Sequence, residues 1–105
     1  MSVKIRRMDG PTLSPHQVKV FLAFKAHPLA WYTNLEIAAL SGVAHRTARL
    51  HTARLATAGV LTQEQTFPGY RFRLAAKPTK PAQDYVKRLD RAAQVFGLRK
   101  EQSDA

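Results

Sequence analysis

The chain has 105 residues, of which 45% are hydrophobic, so it can bury one modest core and suits a single domain. Its 17 Lys and Arg against 7 Asp and Glu give a formal charge of +10, which attracts polyanions such as DNA, RNA or an anionic membrane surface. The absence of cysteine excludes disulfides, thiolate metal sites and cysteine nucleophiles, and no apolar run approaches the roughly 20 residues that a membrane span needs.

Residues 1–13 are predicted to form an extended basic arm, in which Lys4, Arg6 and Arg7 precede a turn cluster. Basic tails of this length are often frayed, yet the same charges suit an arm that contacts DNA, and both interpretations stay open here. No apolar stretch follows the basic residues, so we expect no secretion signal and a soluble, cytoplasmic protein.

A first helix is predicted over residues 15–27. Ser14 is a good N-cap, a proline suits the first helical position, and Gln17 completes a capping-box pattern. The helical spacing of the apolar residues that follow places them in the core. In the connector after this helix, Trp31 and Tyr32 should pack against it.

Two further helices, at about residues 34–41 and 44–58, are predicted on either side of a glycine turn. Thr33 or Asn34 can cap the first of them. A glycine ends each helix, because glycine readily takes the left-handed conformation of a tight helix exit. The inward face of the third helix should hold Ala48, His51 or Thr52, and Leu55.

A β-hairpin is predicted after the third helix, over residues 60–74, with a turn at Pro68-Gly69. The strand at its end alternates strictly, with Tyr70, Phe72 and Leu74 on one side. Arg71 and Arg73 then lie on the other side, so the hairpin should have one buried face and one basic outer face.

The rest of the chain is predicted to hold a stiff basic linker at 77–81, a helix at 82–97 and a tail at 98–105. The apolar stripe of this helix must be buried. It could fold back on the first helix or pair with the same helix of a second chain. We favour a homodimer, since a domain of this size is marginal alone. The expected dimer contacts are Tyr85, Leu89 and Phe96.

Residues 34–61 read NLEIAALSGVAHRTARLHTARLATAGVL. They carry a small residue for close helix approach (Ala38), a glycine for the turn (Gly42) and an apolar plug (Val43), in the order expected of two helices packed at a steep angle. Over residues 14–74 the chain therefore resembles the winged helix-turn-helix family of bacterial DNA-binding regulators. The stretches that carry this resemblance most are Glu36-Ile37-Ala38, Ser41-Gly42-Val43, Arg46-Thr47-Ala48 and Leu55-Ala56-Thr57-Ala58-Gly59-Val60-Leu61.

The resemblance implies a mainly α fold with a small β-hairpin. Residues 14–76 would form a three-helix core plus a wing, the family's name for this hairpin, and the last helix would be an addition. In this family the third helix enters the major groove of DNA and the wing lies along the backbone or minor groove. The expected contacts are then His45, Arg46, Thr47, Arg49 and Arg54 on the third helix, and Arg71, Arg73 and Lys77 on the wing and linker.

The distribution of charge agrees with these contacts. No acidic residue lies between residues 37 and 63, or between 65 and 83. Arg46 and Arg49 are the candidates for base contact, because arginine can bond two guanine acceptors at once; phosphate contact or plain solubility is the alternative. Arg71 and Arg73 should contact phosphate or the minor groove, unless they form a solvated strand face. We expect all four arginines to line one side of the molecule.

The predicted function is sequence-specific binding of double-stranded DNA by a homodimer that regulates transcription, as a repressor. The alternative is an accessory or architectural DNA-binding protein in plasmid or phage replication, partition or conjugative transfer. An RNA-binding or protein-interaction role is less favoured, since no aromatic stacking platform is evident. The acids are scattered and no catalytic motif is present, so we expect no enzyme activity, metal, cofactor, small-molecule substrate or membrane partner.

Overall fold

The computed structural model describes residues 13–67 and 69–98, so the basic arm with Lys4, Arg6 and Arg7, and Pro68 in the turn, lie outside the described residues. The described residues are mainly helical with a small three-stranded antiparallel sheet, which confirms the prediction in these terms. The elements are α1 (Pro15–Ala26), β1 (Tyr32–Thr33), α2 (Asn34–Ser41), α3 (His45–Thr57), β2 (Leu61–Gln65), β3 (Tyr70–Leu74) and α4 (Lys80–Val95).

The start of α1 follows the predicted cap, with one difference. The Ser14 hydroxyl accepts a hydrogen bond from the Gln17 backbone N–H at 3.2 Å, which satisfies one of the free donors of the first turn. The side chain of Gln17 does not return to Ser14 as a capping box requires. It is buried, and its Nε2 donates to the hydroxyl of Tyr85 on α4 at 2.8 Å, so it joins two helices instead.

Between them, α2 and α3 form the predicted pair around a glycine. Thr33 and Glu36 make a full capping box at the start of α2, with hydrogen bonds of 3.2 and 2.8 Å. Gly42 ends α2 with φ of 76°, and its N–H bonds the carbonyl of Ala38 at 2.9 Å. Since α3 begins at His45, the chain turns from one helix to the next within three residues.

The sheet has the order β1-β3-β2, with β3 in the centre. The hairpin was predicted, but β1 was not, because two residues are too few to show an alternating pattern. Tyr32 of β1 lies opposite Phe72 of β3 and packs edge-on against Phe24 of α1, with ring centroids 5.9 Å apart. This contact confirms the predicted packing of Tyr32 on the first helix and ties the sheet to α1.

One apolar core lies between α1, the inward sides of α2 and α3, the inner face of the sheet and α4. Burial of such side chains contributes roughly 1.5–3 kcal/mol each, relative to exposure. The predicted inward face of α3 is confirmed, since Ala48, His51, Thr52 and Leu55 are all buried. The largest fully buried apolar side chains are Phe21, Phe24, Ile37, Leu55 and Leu89.

The last helix begins two residues earlier than predicted and packs within its own chain. The Thr79 hydroxyl caps it at the Ala82 N–H, which places residues 80 and 81 of the expected linker in α4. Leu89 is fully buried in the core, so its assignment as a dimer contact is corrected. Tyr85 is half-buried and hydrogen-bonded to α1, whereas Phe96 remains 38% exposed. None of the helices in the described ranges has the length and apolarity to cross a membrane.

Candidate nucleic-acid interface

A groove runs between α3 and the hairpin formed by β2 and β3. It consists of two adjoining depressions of about 440 and 560 Å³, and both are lined by Asn34, Arg49 and Tyr70. We call this surface the α3–hairpin groove. Its other lining residues are Thr33, Leu35, His45, Arg46, Leu50, Thr52, Ala53, Gln63, Thr66, Gly69 and Phe72.

The charge of this groove comes from the first turns of α3. His45, Arg46 and Arg49 are exposed because they lie on the side of the helix away from the buried Ala48 and Leu55. No carboxylate is found among the described residues that line the groove. Neither guanidinium group makes a hydrogen bond or ion pair with another described residue, so both are available to a ligand.

A buried hydrogen bond fixes α3 against the start of α2 beneath these cations. The hydroxyl of Thr52, which is fully buried, donates to Oδ1 of Asn34 at 2.5 Å. A buried polar group that is paired in this way resists displacement, because breaking the pair leaves it unsatisfied. Sequence reasoning identified Asn34 only as a possible helix cap and missed its place in the groove. The side-chain amide of Asn34 is 18 residues from Thr52 in the sequence, so no local pattern indicates this contact.

Apolar side chains lie beside the arginines on α3. Leu50 is 47% exposed and Ala53 is also exposed, and both line the groove. Leu50 and Ala53 follow Arg46 by four and seven residues, which places all three on one side of the helix. This line was not singled out in the sequence, although the helical spacing from Arg46 could have revealed it.

The expectation that all four arginines line one side is wrong. Arg71 and Arg73 lie on the face of β3 opposite to Tyr70 and Phe72, which face the groove. Their guanidinium carbons are 4.6 and 4.5 Å from the centroid of the Trp31 ring, so both make cation–π contacts. Arg71 also donates from Nε to Glu64 across the hairpin. The alternation was predicted correctly, and Phe72 is buried on the inner face as expected. The basic outer face, however, does not lie on the same side as Arg46 and Arg49.

The remaining predicted contacts are not brought into the groove. Arg54 lies further round α3 than Arg46 and lines a second, mainly apolar depression of about 500 Å³ that reaches Tyr85 of α4. This depression shares Leu50 and Ala53 with the groove, but Arg54 itself does not line the groove. Thr47 is half-buried on α3, and Lys77 is exposed between β3 and α4; neither lines the groove. Of the predicted contacts on α3, the structure therefore assembles His45, Arg46 and Arg49 in one place.

His51 lies on the inward side of α3, behind this surface. The residue is buried, and its Nδ1 has no hydrogen-bond partner among the described residues. Burial lowers the pKa of its imidazole, and the positive fields of Arg54 and His16 lower it further. His51 is therefore neutral at pH 7 and adds no charge to the groove.

Comparison of the chain with known protein families and with characterised proteins finds no match. The functional assignment therefore depends on the chemistry of the groove. That chemistry is specific in three respects: two exposed guanidinium groups on one helix, an adjoining apolar strip, and the absence of carboxylates among the described lining residues. A surface of this kind suits an extended polyanion with donors, acceptors and methyl groups at its edges.

Proposed function

We propose that the protein is a winged helix-turn-helix protein that binds double-stranded DNA in a sequence-specific manner, with α3 in the major groove. The observation that carries the proposal is the exposed pair Arg46 and Arg49, which follows the Gly42 turn and lies in a groove without described carboxylates. The order of three helices followed by a hairpin supports the same assignment.

The chemistry of the groove matches the edges of base pairs. The major groove is about 12 Å wide and admits one α-helix, whose side chains then meet the bases. Each arginine can donate two hydrogen bonds to N7 and O6 of a guanine. The apolar strip of Leu50 and Ala53 is complementary to thymine methyl groups. A site that contains guanine and thymine within a few base pairs is the expected target.

The residues of the hairpin proposed to contact DNA differ from those expected from the sequence. Because Arg71 and Arg73 are directed away from α3 and bound to Trp31, the proposal does not depend on them. The hairpin would contact DNA through its groove-facing and tip residues instead. Phosphates beside the helix would be met by His45 at the N-terminus of α3, where the helix dipole also favours an anion.

The biological role proposed for this activity is regulation of transcription, by repression through occupancy of a promoter. A homodimer on a two-fold site remains part of the proposal, because a two-fold protein matches a palindromic sequence. Its contact would involve Phe96, which is exposed at the end of α4, rather than the buried Leu89.

The test is selection of bound duplexes from a random pool, followed by affinity measurements on the preferred site. We expect Arg46→Ala and Arg49→Ala each to cost about 1–3 kcal/mol on that site and to relax selectivity at one position. The matched control is Arg91→Ala, which removes the same charge from an exposed position on α4. Unchanged affinity in both α3 variants, or equal loss in the control, would contradict the assignment of α3 as the reading helix.

A further inference from the structure

The tip of the hairpin presents one aromatic side chain to solvent. Thr66 closes the turn through its backbone N–H and its hydroxyl, which both donate to the carbonyl of Gly69, at 2.6 and 3.1 Å. Phe67 lies in this closed turn and is 97% exposed, the largest exposure among the large apolar side chains of the described residues. Exposure of a whole phenyl ring to water is unfavourable, and burial of the ring against a partner would be favourable.

The tip is continuous with the α3–hairpin groove. Thr66 and Gly69, on either side of the tip, line the same depression as His45 and Arg49. Residues 65–70 include no charged side chain, and the flanking Glu64 and Arg71 form an ion pair. The nearby positive charge comes from His45 and Arg49, which line the adjoining depression. The phenyl ring of Phe67 has no hydrogen-bond donor for a phosphate oxygen, so it does not suit a phosphate contact. An uncharged, apolar tip suits the stacked bases between the phosphate strands.

We propose that Phe67 inserts as an apolar wedge into the minor groove of the bound duplex and bends it. This inference rests on the proposed function. The tip can reach the minor groove, on the other side of the flanking phosphate strand, only when α3 occupies the major groove. Apolar side chains that enter a minor groove partly unstack one base step and kink the duplex. Pyrimidine–purine steps unstack most easily, so such a step is the expected position of the wedge.

The experiment uses the full chain and the duplex found by selection, labelled with a donor and an acceptor dye at its two ends. Wild type should bend the duplex by about 20–90°, measured as a rise in energy transfer. Phe67→Ala should bind the same duplex and leave it close to straight. Phe67→Leu, which keeps an apolar wedge, should retain most of the bend. A 2-aminopurine at the target step should brighten with wild type and much less with Phe67→Ala.

The outcomes separate the wedge from the proposed function. Binding by wild type without a bend, or an equal bend with Phe67→Ala, overturns the wedge and leaves duplex binding intact. Failure of wild type to bind any selected duplex overturns both. If Phe67→Ala instead abolishes self-association in the absence of DNA and the bend is unchanged, the ring belongs to a contact with a second copy and the wedge is wrong. Because Phe67 makes so little contact with its own chain, loss of folding should not obscure these results.

Discussion

Two neighbouring polar residues on the inward side of α3, His51 and Thr52, differ in their hydrogen bonding. Thr52 is fully buried and paired with Asn34, whereas His51 is buried and its Nδ1 has no hydrogen-bond partner in residues 13–67 and 69–98. A buried, paired hydroxyl fixes geometry, while a buried imidazole without a partner favours its neutral form. The first residue thus positions α3 for contact, and for the second we expect a contribution to stability that depends on pH.

For His51 we expect the free energy of unfolding to fall as the pH drops below about 6.5, the ordinary pKa of histidine. The folded-state pKa is lowered, so the unfolded chain takes up the proton first; this stability is present above the unfolded pKa and lost as the pH falls through the folded one. Urea unfolding of wild type and His51→Leu at pH 7.5 and 5 measures the effect.

The loss at low pH should be smaller in His51→Leu than in wild type. His27→Gln is the control, since it removes a histidine at an exposed position. His51→Gln serves if the leucine variant does not fold. The same pH dependence in wild type and the His51 variants would contradict the assignment.

Among the elements, the unit of α2, Gly42 and α3 sets the orientation of the proposed reading helix. We expect Gly42→Ala to lower the free energy of unfolding by about 1–2 kcal/mol, because φ of 76° brings a Cβ too close to a carbonyl oxygen. Beyond the adjacent residues of the chain, an added Cβ meets no atom within 4 Å, so this local backbone strain is the expected cost. Gly69→Ala is the matched control, because Gly69 also has no neighbour within 4 Å but does not have a positive φ. We expect it to lower the free energy of unfolding much less. Thermal or urea unfolding measures the difference. Equal stability of Gly42→Ala and wild type would show that alanine is not strained at this turn.

The helices and their ends could be predicted from the sequence because caps are local. Ser14, Thr33 and Gly42 act on residues within four positions of themselves, so the pattern contains the whole interaction. The two-residue strand β1 forms only through pairing with Phe72 and Arg71, about 40 positions away, and has no local signature. The side of the molecule on which the outer face of the hairpin lies likewise depends on packing. Alternation separates Arg71 from Phe72 but does not say whether the basic face lies on the same side as Arg46 and Arg49.

In the molecule as a whole, α4 completes the core rather than extending from it. Leu89 and Ala93 are fully buried, and Lys25 of α1 forms an ion pair with Asp90 at 2.7 Å. The exposed ion pair adds little, whereas the buried side chains add much more. The fourth helix thus covers the core formed by the other three helices and the sheet. Because the apolar side of α4 is largely buried within its own chain, a partner is less needed to bury it.

For the whole molecule we expect Leu89→Ala to cost about 2–5 kcal/mol of stability at every protein concentration, because the cavity forms within one chain. Val95→Ala is the control on the same helix; its side chain is 76% exposed and should change stability by no more than about 0.5 kcal/mol. Thermal unfolding over a hundredfold range of concentration provides the measurement. A wild-type midpoint that rises with concentration, together with a folded monomeric Leu89→Ala variant, would restore Leu89 as a dimer contact.

Trp31 is the single tryptophan of the chain, and its indole ring is held by two guanidinium groups from the central strand. We therefore expect its fluorescence to report on the contact between this ring and β3, while far-ultraviolet dichroism follows the helices. Loosening of the hairpin would be visible as a change in emission without any attached dye. The molecule thus carries its own optical reporter for the strand next to the hairpin tip that, in our proposal, contacts DNA.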